Sequence, residues 1–274
     1  MQLILEMLSY PFLVRAAIVG LLVSLCAALL GVSLVLKRYA MIGDGLSHVG
    51  FGALAIAMAL NAAPLAVAIP IVVLAAFFLL RISENSKIKG DAAIALISTS
   101  ALAIGVIVIS YTTGMNTDVY NYMFGSILAM SNGDVALSVV LSVIVLLLFF
   151  LFYHKIFALT FDETFAQATG AKTGLYKILI AFLTAITIVL GMRMIGTLLI
   201  TSLIIFPTLT SMRVCKRFRS VVLCSSLLSV VCFLSGLIFS YLYATPTGAS
   251  IVVANLLAFL LFSALGVLLG RRKT

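Results

Sequence analysis

Residues 12–36 read FLVRAAIVGLLVSLCAALLGVSLVL, and this stretch decides the fold. A helix that crosses a bilayer needs about 20 predominantly apolar residues, and this run contains a single charge, Arg15. The run is too long for the hydrophobic region of a signal peptide, and Glu6 rather than a basic cluster precedes Arg15. The stretch therefore predicts a retained membrane-spanning helix.

The same character extends along the whole chain. Of its 274 residues, 64% are hydrophobic and only 9% are charged, whereas about a quarter of the residues in a soluble domain are charged. We expect a single all-α transmembrane domain over residues 1–274, a polytopic helix bundle of about nine spans. Pro207 interrupts the seventh span, so eight full spans are the alternative. The predicted spans are 12–36, 41–61, 64–82, 91–111, 133–153, 175–193, 195–212, 220–243 and 247–270.

The basic residues predict the orientation. With the N-terminus outside and the C-terminus in the cytoplasm, 15 of the 17 Lys and Arg residues fall on the cytoplasmic side, as the positive-inside rule requires. Only Arg15 and Arg193 remain, and Arg193 is interpreted as a residue that snorkels to the outer interface. The cytoplasmic set is Lys37, Arg38, Arg81, Lys87, Lys89, Lys155, Lys172, Lys177, Arg213, Lys216, Arg217, Arg219, Arg271, Arg272 and Lys273.

Several classes of function are excluded by what the chain lacks. The net charge of +9 does not indicate nucleic-acid binding, because the basic residues form short clusters between apolar runs. The four cysteines show no CxxC spacing and are interpreted as buried packing residues. The sequence contains no GxxxxGK[ST] phosphate loop, no HExxH and no Ser/His/Asp arrangement, so we expect a transport protein rather than an enzyme.

One predicted span carries a candidate metal site. In the stretch MIGDGLSHVGFG, residues 41–52, Asp44 and His48 lie four residues apart and therefore on one helix face. A carboxylate and an imidazole are ligands for first-row divalent metals, and ionisable groups inside a membrane are functional by default. Gly45 and Gly52 flank this face and allow a helix or a ligand to approach closely. Two simpler readings remain open: Asp44 caps the helix, or His48 bonds a neighbouring helix.

Two further segments have acidic residues at predicted helix starts. Asp91 is interpreted as the N-cap of the fourth span. In the predicted cytoplasmic loop 154–174, Asp162 and Glu163 begin a short helix, Phe165 and Ala166 lie within it, and Gly170 ends it. A short capped helix facing the cytosol is either a plain connector or a docking element for a partner.

The loop near residues 112–132 contains Tyr120, Tyr122 and Phe124, which are typical of an interfacial segment.

Taken in order, these stretches resemble the permease subunits of ABC importers for zinc, manganese and iron. The resemblance covers nearly the whole chain, and the stretch Ile42-Gly43-Asp44-Gly45-Leu46-Ser47-His48 is its most specific part. Gly90 departs from the family, which often has an acidic residue there. The other matching stretches are Tyr10-Pro11-Phe12, Leu36-Lys37-Arg38, Asp91-Ala92-Ala93-Ile94-Ala95, Tyr122-Met123-Phe124-Gly125-Ser126-Ile127-Leu128, Phe161 to Gly170, and Pro246-Thr247-Gly248-Ala249.

The resemblance implies a mechanism and a set of partners. It implies a homodimer in the cell membrane with the path on its two-fold axis, and an extracytoplasmic protein that delivers the metal. It also implies two cytoplasmic ATP-binding subunits that grip the helix at about 161–170, and metal handling by Asp44 and His48. The divalent ion is cargo, and no permanently bound cofactor is implied. A proton-coupled secondary transporter and an ABC permease for a metal chelate are the alternatives.

Overall fold

A computed structural model describes residues 9–85, 90–112, 131–197 and 200–268, and within these ranges all regular structure is helical. The interfacial segment predicted near 112–132 lies largely outside the described residues, as does the side chain of Asp91. The helices are α1 (Pro11–Leu36), α2 (Ile42–Ala59), α3 (Pro64–Asn85), α4 (Gly90–Thr112), α5 (Asn132–Leu151), α6 (Tyr153–Phe161), α7 (Glu163–Ala168), α8 (Thr173–Ile195), α9 (Ile200–Val214), α10 (Phe218–Tyr243) and α11 (Thr247–Leu268).

Eight of these helices are long and apolar enough to cross a membrane: α1 to α5, α8, α10 and α11. The seventh predicted span becomes α9, a shorter apolar helix of 15 residues that contains Pro207. At 1.5 Å per residue α9 is about 22 Å long, which is short of a hydrocarbon core of about 30 Å. The prediction of about nine spans is confirmed as eight long helices and this shorter one.

Helices α1, α2 and α8 form the centre of the bundle, because about seven tenths of each span is buried inside the protein. Helix α1 packs against α5, α8, α9 and α10, and α2 packs against α3 and α4. The spans of α3, α4, α5 and α11 are less than a third buried, and their apolar outer faces are exposed. Such faces require lipid or another membrane-embedded chain to cover them.

Arg193 does not snorkel as we expected. It is 8% exposed, and its Nη2 lies 2.7 Å from Oδ2 of Asp134, which is 15% exposed. The pair joins the end of α8 to the start of α5. Asp134 also accepts a hydrogen bond from the backbone N–H of Ser131, whose Oγ accepts one from the N–H of Asp134, so a capping box holds the carboxylate in place. The carboxylate thus supplies the counter-charge that a buried guanidinium requires.

We expect the substitution Asp134→Asn to destabilise the protein by about 3 kcal/mol, because it removes the negative charge beside a buried cation while an amide oxygen can still cap α5. Thermal unfolding in detergent measures the effect. In an Arg193→Met background the same substitution should be nearly neutral. An equal loss of stability in both backgrounds would show that the cap rather than the ion pair matters.

Candidate metal site and docking helix

Asp44 and His48 lie in the first two turns of α2, on one face of the helix. Oδ2 of Asp44 is 3.7 Å from Nε2 of His48, and the two side chains are 37% and 16% exposed. Two ligand atoms about 2.1 Å from one ion and at a tetrahedral angle to each other lie about 3.4 Å apart. The observed separation therefore fits one divalent ion bound by both side chains after a shift of a few tenths of an ångström.

The two simpler interpretations of this pair receive no support from the contacts. The N-cap of α2 is Met41, which makes no side-chain capping hydrogen bond, and Asp44 lies in the first turn. Nδ1 of His48 is buried and has no hydrogen-bond partner among the described residues, so the ring is not tied to a neighbouring helix. Nε2, which faces Asp44, is the ring nitrogen that a ligand shared with the carboxylate would use.

The glycines beside the pair bring α4 against α2. A Cβ at Gly52 would lie 2.7 Å from the carbonyl oxygen of Ala101, and one at Gly45 would lie 2.6 Å from Cγ2 of Ile94. Both positions therefore require glycine for close helix packing. Of the two predicted roles for these glycines, the approach of a helix is the one observed.

The described part of one chain supplies too few ligands for a closed site. In the described part of the chain no group of three or more His, Cys, Asp or Glu residues lies close enough together to hold a metal ion. A tetrahedral site needs four ligands, so a second chain, the backbone or water must complete this one.

The short helix predicted at about 161–170 is α7, and both of its predicted ends are confirmed. Oδ1 of Asp162 accepts a hydrogen bond of 2.8 Å from the backbone N–H of Phe165. Gly170 has φ +81°, and its N–H donates to the carbonyl of Gln167 while that of Ala171 donates to Ala166. These two bonds form a Schellman motif, which requires a residue such as glycine in the left-handed region.

Phe165 and Ala166 of α7 have different environments. Ala166 is 2% exposed and packs against the rest of the chain, whereas the ring of Phe165 is 64% exposed. A large exposed aromatic side chain on a short helix outside the bundle is typical of a surface that a partner covers. Of these two residues, Phe165 is therefore the one available for contact with a partner.

Glu163 fastens α7 to the bundle. Its carboxylate lies 3.5 Å from Nζ of Lys37, at the end of α1, and accepts a hydrogen bond from Lys177 in the first turns of α8. Partial burial raises the pKa of the Glu163 carboxyl, but the hydrogen bond and charge of Lys177, with the charge of Lys37, outweigh it and hold the pKa below its usual 4.5. We had assigned Glu163 only to the helix start and to partner contact, so this link between three helices is an addition.

The matches to known proteins extend over nearly the whole chain. The model of the ABC 3 transport family matches residues 9–266. The chain is 29% identical to the high-affinity zinc uptake system membrane protein ZnuB of Haemophilus influenzae, over 92% of this chain and 97% of that protein. It is 30% identical to the manganese transport system membrane protein MntC of Halalkalibacterium halodurans, over 94% of this chain and 88% of that protein.

A solved structure agrees with these relatives. The chain superposes on PsaBC from Streptococcus pneumoniae, solved in complex with a Fab, with a TM-score of 0.85 and 30% identity. The match covers 95% of this chain and 94% of that one. Fold, length and sequence thus agree with the family model over the same residues, and the chain belongs to the ABC 3 transport family.

Proposed function

We propose that this permease imports a divalent first-row metal ion along a path that passes Asp44 and His48. Membership of the family makes the chain the membrane-spanning subunit of an ABC transporter in the plasma membrane, with ATP hydrolysis in a separate subunit. The observation that carries the proposal is Nε2 of His48, which lies 3.7 Å from a carboxylate on the same face of a membrane helix.

The chemistry of this pair suits a transported ion. One oxygen and one nitrogen replace only part of a hydration shell, so the ion is bound but still able to leave. Such a donor set accepts zinc, manganese and iron. The relatives carry names of both zinc and manganese systems, which agrees with a site that geometry and delivery tune for one metal.

A second copy of the chain supplies the missing ligands in this proposal. Two copies around a two-fold axis bring two carboxylates and two imidazoles together, which is the number of ligands in a tetrahedral site. Helix α4, which packs on α2, exposes Leu96, Ile104 and Ile107, and a second copy would cover part of this face. The path of the ion then runs between the copies.

In this scheme partner proteins supply the energy for transport and deliver the metal ion. Helix α7 presents Phe165 to a cytoplasmic ATP-binding subunit, and Glu163 passes the resulting displacement to α1 and α8. A metal-binding protein delivers the ion at the outer face. The orientation is the one that the basic residues predict, with the N-terminus outside and α7 in the cytoplasm.

Uptake by vesicles that contain this permease, its ATP-binding subunit and its binding protein tests the proposal. We expect ATP-dependent accumulation of one of zinc, manganese and iron, with no accumulation when ATP is omitted. Uptake by the permease alone under a pH gradient would instead assign a proton-coupled carrier. Uptake of a metal chelate in preference to all three free ions would assign a chelate permease.

A further inference from the structure

The turn that ends α1 holds an arginine in a backbone conformation that favours glycine. Arg38 has φ +61°. Its N–H donates to the carbonyl of Val35, and the N–H of Tyr39 donates to the carbonyl of Leu34. These two bonds form a Schellman motif, and Arg38 occupies its left-handed position. A Cβ at that position crowds the backbone carbonyl oxygen, so arginine makes the turn less stable than glycine would.

The same motif at the end of α7 uses glycine. Gly170, with φ +81°, has there the position that Arg38 has after α1, and the same two hydrogen bonds close the turn. The strain at the end of α1 therefore comes from the choice of residue and not from the motif. Because the backbone of the turn needs no side chain at this position, the strain points to a use for the guanidinium.

Arg38 lies beside the docking helix and is exposed. The preceding residue, Lys37, is 3.5 Å from the carboxylate of Glu163 in α7. This ion pair brings the turn that holds Arg38 next to the helix that holds the Phe165 ring, which is 64% exposed. In the part of the chain that the structure describes, no ion pair joins the Arg38 guanidinium to a carboxylate. A cation and an aromatic ring are thus both presented on the same side of the bundle.

We propose that Arg38 extends the docking surface beyond α7 and binds a carboxylate of the cytoplasmic ATP-binding subunit. This inference rests on the proposed function, in which Phe165 contacts the same subunit. Arginine and aromatic residues are the types enriched at the energetic centre of protein interfaces. The planar guanidinium also matches a carboxylate through two parallel hydrogen bonds. The strain lowers the stability of the isolated permease, and the contact offsets it in the complex.

Arg38→Gly separates the strain from the contact. We expect the melting temperature of the isolated permease to rise by about 2 °C, because glycine removes the strain. The affinity of the purified ATP-binding subunit for the full chain in phosphatidylcholine nanodiscs should fall about tenfold, because a hydrogen-bonded charge pair is lost. Arg38→Lys keeps both the charge and the strain, so it should recover part of the affinity and show no rise in melting temperature.

Ala244→Gly is the matched control. Ala244 is also exposed with a positive φ, +50°, and it ends α10 on the side that the basic residues predict to be outside. Glycine at this position should raise the melting temperature and leave the affinity for the ATP-binding subunit unchanged. Added NaCl should weaken binding of the wild-type permease more steeply than binding of the Arg38→Gly permease, because salt screens an ion pair.

An unchanged affinity of the Arg38→Gly permease would overturn the proposal. A lower melting temperature of this variant would also overturn it, because the arginine would then stabilise the permease itself. A loss of affinity seen only in nanodiscs that contain phosphatidylglycerol would assign the guanidinium to a lipid phosphate. Phe165→Ala distinguishes these failures from failure of the proposed function: it still weakens binding if only the Arg38 contact is wrong, and leaves binding unchanged if α7 is not the docking helix.

Discussion

Replacing His48 by alanine is expected to reduce metal uptake by the complete transporter at least about a hundredfold, because the loss of even an outer-shell partner lowers metal affinity 10- to 100-fold. Asp44→Ala should have an effect of the same size, because the carboxylate is the only other ligand that this face of α2 offers within reach of the ring. Basal ATP hydrolysis should remain, since both residues lie in α2 and not in the proposed docking helix α7. The measurement is uptake of zinc, manganese and iron in vesicles that contain all three proteins.

His154 provides a matched control, since it is the only other histidine in the sequence and it is exposed in the first turn of α6. His154→Ala should leave uptake unchanged. Unchanged uptake in both the His48 and the Asp44 variants would mean that the pair is structural and that the ion passes elsewhere. Loss of uptake together with loss of the assembled complex would be uninformative about ligation, so assembly is measured on the same samples.

The fold was predictable from the sequence because lipid imposes a simple rule. A spanning helix must be about 20 residues long and apolar, and this rule identified α1 and the other seven long helices. The rule does not determine how a short apolar segment ends. Around Pro207 the helix continues through the proline, and this depends on packing rather than on hydropathy.

The candidate site was predictable where its geometry is local. The spacing of Asp44 and His48 places them on one helix face whatever the rest of the chain does. The caps of α7 follow for the same reason, since Asp162 and Gly170 act within one turn of their own backbone. Both features depend only on the local geometry of a helix and its ends.

Contacts between distant segments were not predictable in this way. Arg193 and Asp134 are 59 residues apart, and hydropathy treats each as an isolated charge at a helix end. The positive-inside rule placed Lys37 and Lys177 on one side of the membrane but gave no reason for both to meet Glu163. Charge pairing of this kind depends on which helices are neighbours, and a single sequence does not encode that locally.

The attachment of Glu163 relates the docking helix to the metal pair. Lys37 is the C-cap of α1, and α2 begins at Ile42, so the chain between them is only a short turn. A displacement of α7 therefore acts on the same connection that positions the start of α2, where Asp44 lies. The proposed docking helix and the proposed metal ligands are therefore connected through Lys37 and the short turn that leads to α2.

The substitution Phe165→Ala is expected to weaken binding of the ATP-binding subunit about 30-fold and to reduce ATP-driven uptake accordingly, because a buried aromatic anchor at an interface contributes about 2 kcal/mol or more. The ring is 64% exposed in the isolated chain, so its removal leaves no cavity in the permease and should not change the stability of the permease itself. Copurification with the ATP-binding subunit and ATP-dependent uptake measure the two effects. Gln167→Ala is the matched control, because Gln167 is exposed on the same helix but is polar.

Comparing the Phe165→Ala and Gln167→Ala variants shows whether α7 is a docking helix or only a connector. If α7 is only a connector, Phe165→Ala and Gln167→Ala should both leave the complex intact, since neither side chain packs into the bundle. If α7 is the docking element, only the aromatic variant should lose the partner, and the His48→Ala protein should keep it. The His48→Ala permease would then bind its ATP-binding subunit without transporting metal. The Phe165→Ala permease would keep its metal ligands without binding the subunit. Together these two results would assign ion handling to α2 and energy input to α7.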